Sequence, residues 1–264
     1  VDSVAQWSRS SPLIFESPEL GYRPELQSVT PSGLIEFNNV TYSVDDKLIL
    51  DNLSLVIKPG QQIGITGPSG SGKSTFIRLI SGVILPENGN LLIDGHEIQE
   101  INLKTLRSAI GIVTQSSIIP STSIIEFLAP SFSYTEDQVW QALKLSCIDD
   151  EINSMPMKLQ TILSEGASNI SGGQRQRLLI AKALIKKPSL LLLDEATSAL
   201  SEETQSLLIE NITNLNITSL SIAHRLETLR GCDKVYIFAD GAIVDEGTYS
   251  SLSAADSYFS DSLH

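Results

Sequence analysis

The sequence predicts an α/β fold on a mostly parallel sheet, with an antiparallel contribution near the start and a helical insertion. Three observations carry that prediction. Short apolar runs recur as buried-strand candidates at "QQIGIT", "SLLLLD" and "ITSLSIA". A helix-period segment, "SEETQSLLIENITNL", separates the last two, and such alternation yields a parallel sheet. From about 116 to 186 the pattern turns helical, most clearly in "TEDQVWQALKLS" and "QRQRLLIAKALIKK".

The elements then follow in order. Residues 1–33 carry four prolines and no sustained periodicity, which reads as a linker or arm. "LIEFNNVTY" and "LILDNLSLVI" are strands, and Lys58-Pro59-Gly60 turns the chain into "QQIGIT". "KSTFIRLISG" has a helical pattern with Gly82 as its stop, and "NLLIDG" is a short strand and turn. "KVYIFADGAIVDEG" is a hairpin turning on Asp240-Gly241, before a weak terminal helix around 249 to 260.

Composition narrows the functions. A net charge of −13 argues against a general grip on a nucleic-acid backbone, so no nucleic-acid partner is expected. Cys147 and Cys232 lie far apart, without metal-ligand spacing, and fit a reducing cytoplasm better than a disulfide scaffold. No apolar run is long enough to cross a membrane, and no signal segment is evident.

The stretch "GPSGSGKST" runs from Gly67 through Pro68, Ser69, Gly70, Ser71, Gly72, Lys73 and Ser74 to Thr75, directly after a predicted strand. Its three glycines let backbone N–H groups converge and open a helix whose amino end favours anions. Lys73 would reach the β- and γ-phosphates, and Ser74 would offer a hydroxyl to magnesium. Asp194 ends the run of leucines where an acidic side chain meets a bound metal, and Glu195 beside it would polarise the attacking water. Gln115, after "AIGIVT", is a candidate for magnesium or water. His224, after "LSIA", is a candidate for the γ-phosphate. "SGGQ" places Ser171, Gly172, Gly173 and Gln174 at a second glycine-rich helix start. One nucleotide has little use for two such starts unless the second serves a partner. That leads to a two-fold dimer in which each Ser-Gly-Gly segment faces the neighbour's phosphate loop.

Together these stretches resemble the ATP-binding domain of ABC transporters: "GPSGSGKST" as Walker A, Gln115 as the Q-loop, "ISGGQ" as the signature, "LLLLDE" as Walker B, "SALS" as the D-loop and His224 as the switch histidine. The resemblance implies a P-loop NTPase core at 34–115 and 187–250 that includes an antiparallel β subdomain. A helical subdomain at 116–186 would carry the signature, and 251–264 would form a C-terminal helix or tail. ATP and Mg²⁺ are its implied cofactors. A second ATPase domain and a transmembrane domain of the same full-length chain are its implied partners, at the cytoplasmic face of a bacterial inner membrane. "TILSEGASNISGGQRQRLLIAKAL" is similar to the exporter branch, and "MPMKLQTILSEG" to exporters of bacteriocin-type peptides. Residues 1–33 would then be the connector from a transmembrane domain, which would explain the missing initiating methionine. A chromosome-type ATPase is disfavoured because no heptad run lies between Lys73 and Asp194, and a translation-type ATPase because there is one cassette.

Three positions depart from the family pattern. Val44 stands where an adenine-stacking aromatic is usual, with Tyr42 at the preceding aromatic position. Ser201 replaces the D-loop aspartate, and Ile170 replaces the leucine before the signature serine. The first two keep a second reading open, a regulatory ATP-binding domain with little turnover.

Overall fold

Alternating side chains decide the layers. The computed structural model describes residues 26–223 and 226–254. The chain forms β1 (Ile35–Val44), β2 (Lys47–Ile57), β3 (Gln62–Thr66), α1 (Lys73–Ile80), β4 (Asn88–Ile93) and β5 (His96–Glu97). Helix α2 (Leu103–Ala109) leads into β6 (Ile110–Val113). Between β7 (Thr122–Ser123) and β8 (Ile162–Leu163) lie α3 (Ile124–Leu128), α4 (Glu136–Leu145) and α5 (Asp149–Ser154). The chain continues through α6 (Gly172–Leu184), β9 (Leu190–Asp194), α7 (Glu202–Asn214), β10 (Thr218–Ile222), β11 (Lys234–Ala239), β12 (Ala242–Gly247) and α8 (Tyr249–Ala254).

The central sheet has the order β12-β11-β3-β10-β9-β6. Its neighbours from β11 to β6 pair in parallel, and β12 returns antiparallel on β11. The hairpin turns where the sequence places it: Asp240 and Gly241 both have positive φ, as a type I′ turn requires. A second, antiparallel sheet has the order β2-β1-β4-β5.

Period-two alternation on β9 sends Leu190 and Leu192 into one cluster and Leu191 and Leu193 into another. The first cluster joins the two sheets through α1. Phe76 of that helix stacks on Phe37 of β1 at 4.7 Å and meets Phe238 of β11 at 5.5 Å. Leu191 and Leu193 instead share their cluster with Ile180 and Leu184 of α6 and with Leu208 and Ile212 of α7. A separate cluster is built wholly within residues 119–185, from α3, α4, α5 and α6.

The sequence reading did not foresee α2, whose start is held by Asn102 accepting from the N–H groups of Lys104 and Thr105. Nor did it foresee the two-residue pairing of β7 with β8 inside the helical region. Most of the proposed 1–33 linker lies outside the described residues, but its last part is bound. Gln27 bridges Ile101, Ser32 Oγ donates to Asp94 at 2.8 Å, and Thr218 Oγ1 donates to the Gly33 carbonyl at 3.1 Å. The terminal helix spans Tyr249–Ala254, and 255–264 lie outside the described residues. Among the described residues no helix is long and apolar enough to cross a membrane.

Candidate functional site

Strands β3, β10, β9 and β6 are neighbours and run parallel, so their carboxyl ends share one edge of the sheet. Open α/β sheets bind ligands at such an edge. Gly67 follows β3, Asp194 ends β9, and Thr114 and Gln115 follow β6. Ala223 follows β10, and the next residue, His224, lies outside the described residues.

The phosphate loop is shaped by glycines that nothing else replaces. Gly67 has φ +141°, and a Cβ there would sit 2.0 Å from the Phe238 carbonyl oxygen. Gly72 occupies the N-cap of α1 at φ +99° with no side-chain capping bond. The amino end of α1 is therefore left for an external anion. Pro68, Ser69 and Gly70 are exposed at the loop tip, whereas Ser71 and Lys73 are buried. Lys73 Nζ donates to the carbonyls of Gly67 at 2.8 Å and Pro68 at 2.7 Å, and touches Ser71 Oγ at 3.5 Å. Burial lowers the Lys73 pKa, opposed by the carboxylates of Glu195 and Asp194. Ser74 is exposed and Thr75 half-buried at the first turn of α1.

Asp194 is 7% exposed, and burial raises its pKa. A hydrogen bond from Ser74 opposes that shift, Glu195 adds like-charge repulsion, and Arg78 and Lys73 act against it. Glu195 follows at φ +56°, unusual for an L-residue, while its N–H donates to the Ile222 carbonyl at 3.2 Å. Gln115 Nε2 donates to Glu195 Oε2 at 3.3 Å. Thus Lys73, Ser74, Asp194, Glu195 and Gln115, far apart in sequence, form one contiguous polar group.

The second glycine-rich start is built differently. Ser171 is the N-cap of α6: its Oγ accepts from the Gln174 N–H at 3.1 Å, and Gln174 Oε1 accepts from the Ser171 N–H at 2.9 Å. Gln174 Nε2 also donates to Glu151 at 2.6 Å, so this side chain is held inside the helical region at both ends. Gly172 is exposed, Gly173 half-buried, and Gly172 lines a cavity of about 200 Å³ with Gln115, Asp194 and Glu195. Among the described residues a second cavity, of about 620 Å³, runs along α7 to Arg230 and is lined by none of the sequence-predicted site residues.

Tyr42 is half-buried against the core, and Val44 is 46% exposed at the end of β1. Ser201 caps α7, its Oγ accepting from the Thr204 N–H at 3.3 Å, which gives that replacement a local structural use. Ile170 packs against the helical cluster. Sequence reasoning missed Arg175 and Gln176, which lie beside the signature and bond to the loops carrying Gln115 and Glu195. The only signal was two polar residues at the start of α6, and nothing in their own neighbourhood marks them as reaching other loops.

A strand, an uncapped glycine loop and a helix, with carboxylates at a neighbouring strand end, define a P-loop nucleotide-binding protein. Residues 50–198 match the family model described as ABC transporter, and the chain belongs to that family. Its domain is of the family's ATP-binding and hydrolysing type. The chain is 38% identical over 246 residues to the alpha-hemolysin translocation ATP-binding protein HlyB of Escherichia coli, covering 90% of this chain and 34% of that protein. Identity is also 38% to the leukotoxin translocation ATP-binding protein LktB of Mannheimia haemolytica, over 90% of this chain and 34% of that one. A solved bacterial Atm1-family ABC exporter with ATP bound superposes with a TM-score of 0.91 at 31% identity, over 99% of this chain and 47% of that one. This chain therefore spans about a third of the length of the curated relatives it matches.

Proposed function

We propose that this chain hydrolyses magnesium-bound ATP between two copies of itself or a close relative, and thereby powers export through a membrane domain. The observation that carries the reading is the convergence of Gln115, Asp194 and Glu195 beside an uncapped phosphate loop. Lys73 exchanges its bonds to the loop carbonyls for β- and γ-phosphate oxygens, and the amino end of α1 holds the remaining charge. Glu195 orients and polarises the attacking water, Gln115 steadies it, and His224 contacts the γ-phosphate. Tyr42 and Val44 are assigned to the base, where Val44 offers no ring.

Magnesium suits the residues present. Asp194, at the end of β9, is a buried carboxylate held to the hydroxyl of Ser74 in the first turn of α1, and both are hard oxygen donors. Ser74, Asp194 and Gln115 would hold the ion, which supplies neutralisation of phosphate charge.

Ser171, Gly172, Gly173 and Gln174 are assigned to the partner copy's phosphates. Export is supported by the relatives' names, which describe hemolysin and leukotoxin translocation. A peptide of the bacteriocin type is the finer proposal. The setting is the cytoplasmic face of a bacterial inner membrane.

The test separates binding from turnover. Lys73→Ala should lose ATP affinity, while Glu195→Gln should bind ATP and sediment as an ATP-dependent dimer without hydrolysis. Ser171→Arg, placed in the Glu195→Gln background, should remove that dimer and spare ATP binding by the monomer. Wild-type turnover in Glu195→Gln would sink the assignment. Binding without measurable turnover in the wild type, alone or with its membrane domain, would favour a regulatory nucleotide sensor instead.

A further inference from the structure

Gln176 lies on α6, one turn after Gly172, and its side-chain amide is shared by the segment that follows β9. Nε2 donates to the Glu195 carbonyl at 3.3 Å and to Ser198 Oγ at 3.0 Å. Oε1 accepts from the Ala199 N–H at 2.8 Å. Ser198 Oγ in turn donates to the same Glu195 carbonyl at 3.1 Å. A left-handed backbone at an L-residue persists only where its surroundings hold it. Glu195 is such a residue, at φ +56°, and the Gln176 amide meets it at its own carbonyl.

The preceding residue acts on the other loop. Arg175 Nη2 donates to the Ser117 carbonyl at 2.9 Å, in the turn where the Ser117 N–H bonds back to the Thr114 carbonyl at 3.0 Å. Consecutive residues of one helix therefore hold the two loops whose side chains, Gln115 and Glu195, meet at 3.3 Å.

We propose that Gln176 is a positioning residue for hydrolysis: it fixes the backbone turn at Glu195 and so sets the direction in which that carboxylate addresses water. This inference rests on the reading of Glu195 as the water-polarising group. It makes helix α6 a support for hydrolysis within its own copy, in addition to presenting Ser171 to the partner. All three bonds of the Gln176 amide go to the segment carrying Glu195 and none to the phosphate loop, so its loss lowers kcat and leaves ATP affinity in place.

The experiment compares Gln176→Ala and Gln176→Glu with wild type. The near-isosteric glutamate keeps an acceptor for the Ala199 N–H but loses the donor to Glu195, which returns when it is protonated. The charged groups lining the same cavity are Arg175, Asp194 and Glu195: the two carboxylates favour that protonation and the single guanidinium opposes it. Turnover and ATP affinity are measured from about pH 8 down to about pH 5.5, near the upper reach of a perturbed glutamate. Gln176→Ala should show kcat reduced about tenfold or more, with affinity within about twofold of wild type. Gln176→Glu should regain activity relative to wild type as pH falls, whereas the ratio for Gln176→Ala stays flat. A kcat near wild type in both variants, equal losses in kcat and affinity, or a flat ratio for Gln176→Glu would overturn the proposal. Glu195→Gln is assayed alongside. Wild-type turnover there defeats the reading of Glu195 itself, whereas loss there with unaffected Gln176 variants defeats only the positioning role.

Discussion

Two helices of this domain start at glycine-rich stretches, and they start in opposite ways. Helix α1 begins at Gly72, in a left-handed conformation with no capping side chain, so its amino end awaits a ligand. Helix α6 begins at Ser171 with a complete capping box, so part of its amino end is already satisfied by the protein. The difference teaches that glycine content alone does not make an anion cradle. What matters is whether a serine, threonine or asparagine has taken the terminal N–H groups. The N–H groups at the start of α1 are left open by the protein, whereas those at Ser-Gly-Gly are partly taken by Ser171 itself.

The largest effect should come from Gly67→Ala. A Cβ 2.0 Å from a backbone carbonyl cannot be relieved by a side-chain rotation, and the left-handed φ adds strain. Unfolding in urea should show a loss of about 3 kcal/mol or more, with ATP binding lost as well. A midpoint equal to wild type would mean the loop is free to move, and the contrast with α6 would lose its basis.

Ser171→Ala should cost less, about 1 kcal/mol, because it removes one cap and leaves the helix packed. Calorimetry should register the loss, while ATP titration of the monomer should match wild type. Weakened ATP binding by the monomer would place the two helix starts at one site within a single copy, against the comparison.

The smallest effect sharpens the phosphate side. The Asp194 pKa is raised by burial, so the folded domain favours the protonated form, and stability falls as pH climbs from the ordinary carboxylate range through the folded value. Asp194→Asn should therefore raise the melting temperature of the ligand-free domain at pH 7 by about 1–3 °C. The gain should vanish below about pH 4, where both states bind the proton. In magnesium and ATP the order should reverse, since the wild type alone then has a use for the charge. A lower melting temperature for Asp194→Asn without ligand would show that the carboxylate is stabilised where it lies.

Much of this was legible in the sequence, and the reasons are local. Four leucines before Asp194, and the unbroken apolar run from Val235 to Ala239 in β11, specify buried strands whatever surrounds them. Asp240-Gly241 specifies a hairpin because both positions need positive φ. The phosphate loop was readable because its spacing is imposed by backbone geometry. Helix α2 escaped notice because it is seven residues long and carries no sustained period; only Asn102 marked its start. The anchoring of residues 27–34 was hidden because it depends on Asp94 and Thr218, far along the chain. Gln176 was hidden for the same reason: its three bonds reach residues about twenty positions away, and nothing in its own neighbourhood announces them.

The helical cluster draws every one of its buried residues from positions 119–185, whereas Gln62 of the central strand β3 must wait for Ser219, 157 residues later. On a growing chain the two regions therefore mature at different times. The helical part closes its core as soon as it clears the ribosome. Strand β3, with the phosphate loop attached, spends most of synthesis with both edges unpaired, because β10 and β11 have yet to be made. Within this domain the phosphate-loop segment is thus made before the strands that secure it, and it is there that a nascent chain of this kind is open to chaperones or to misassembly.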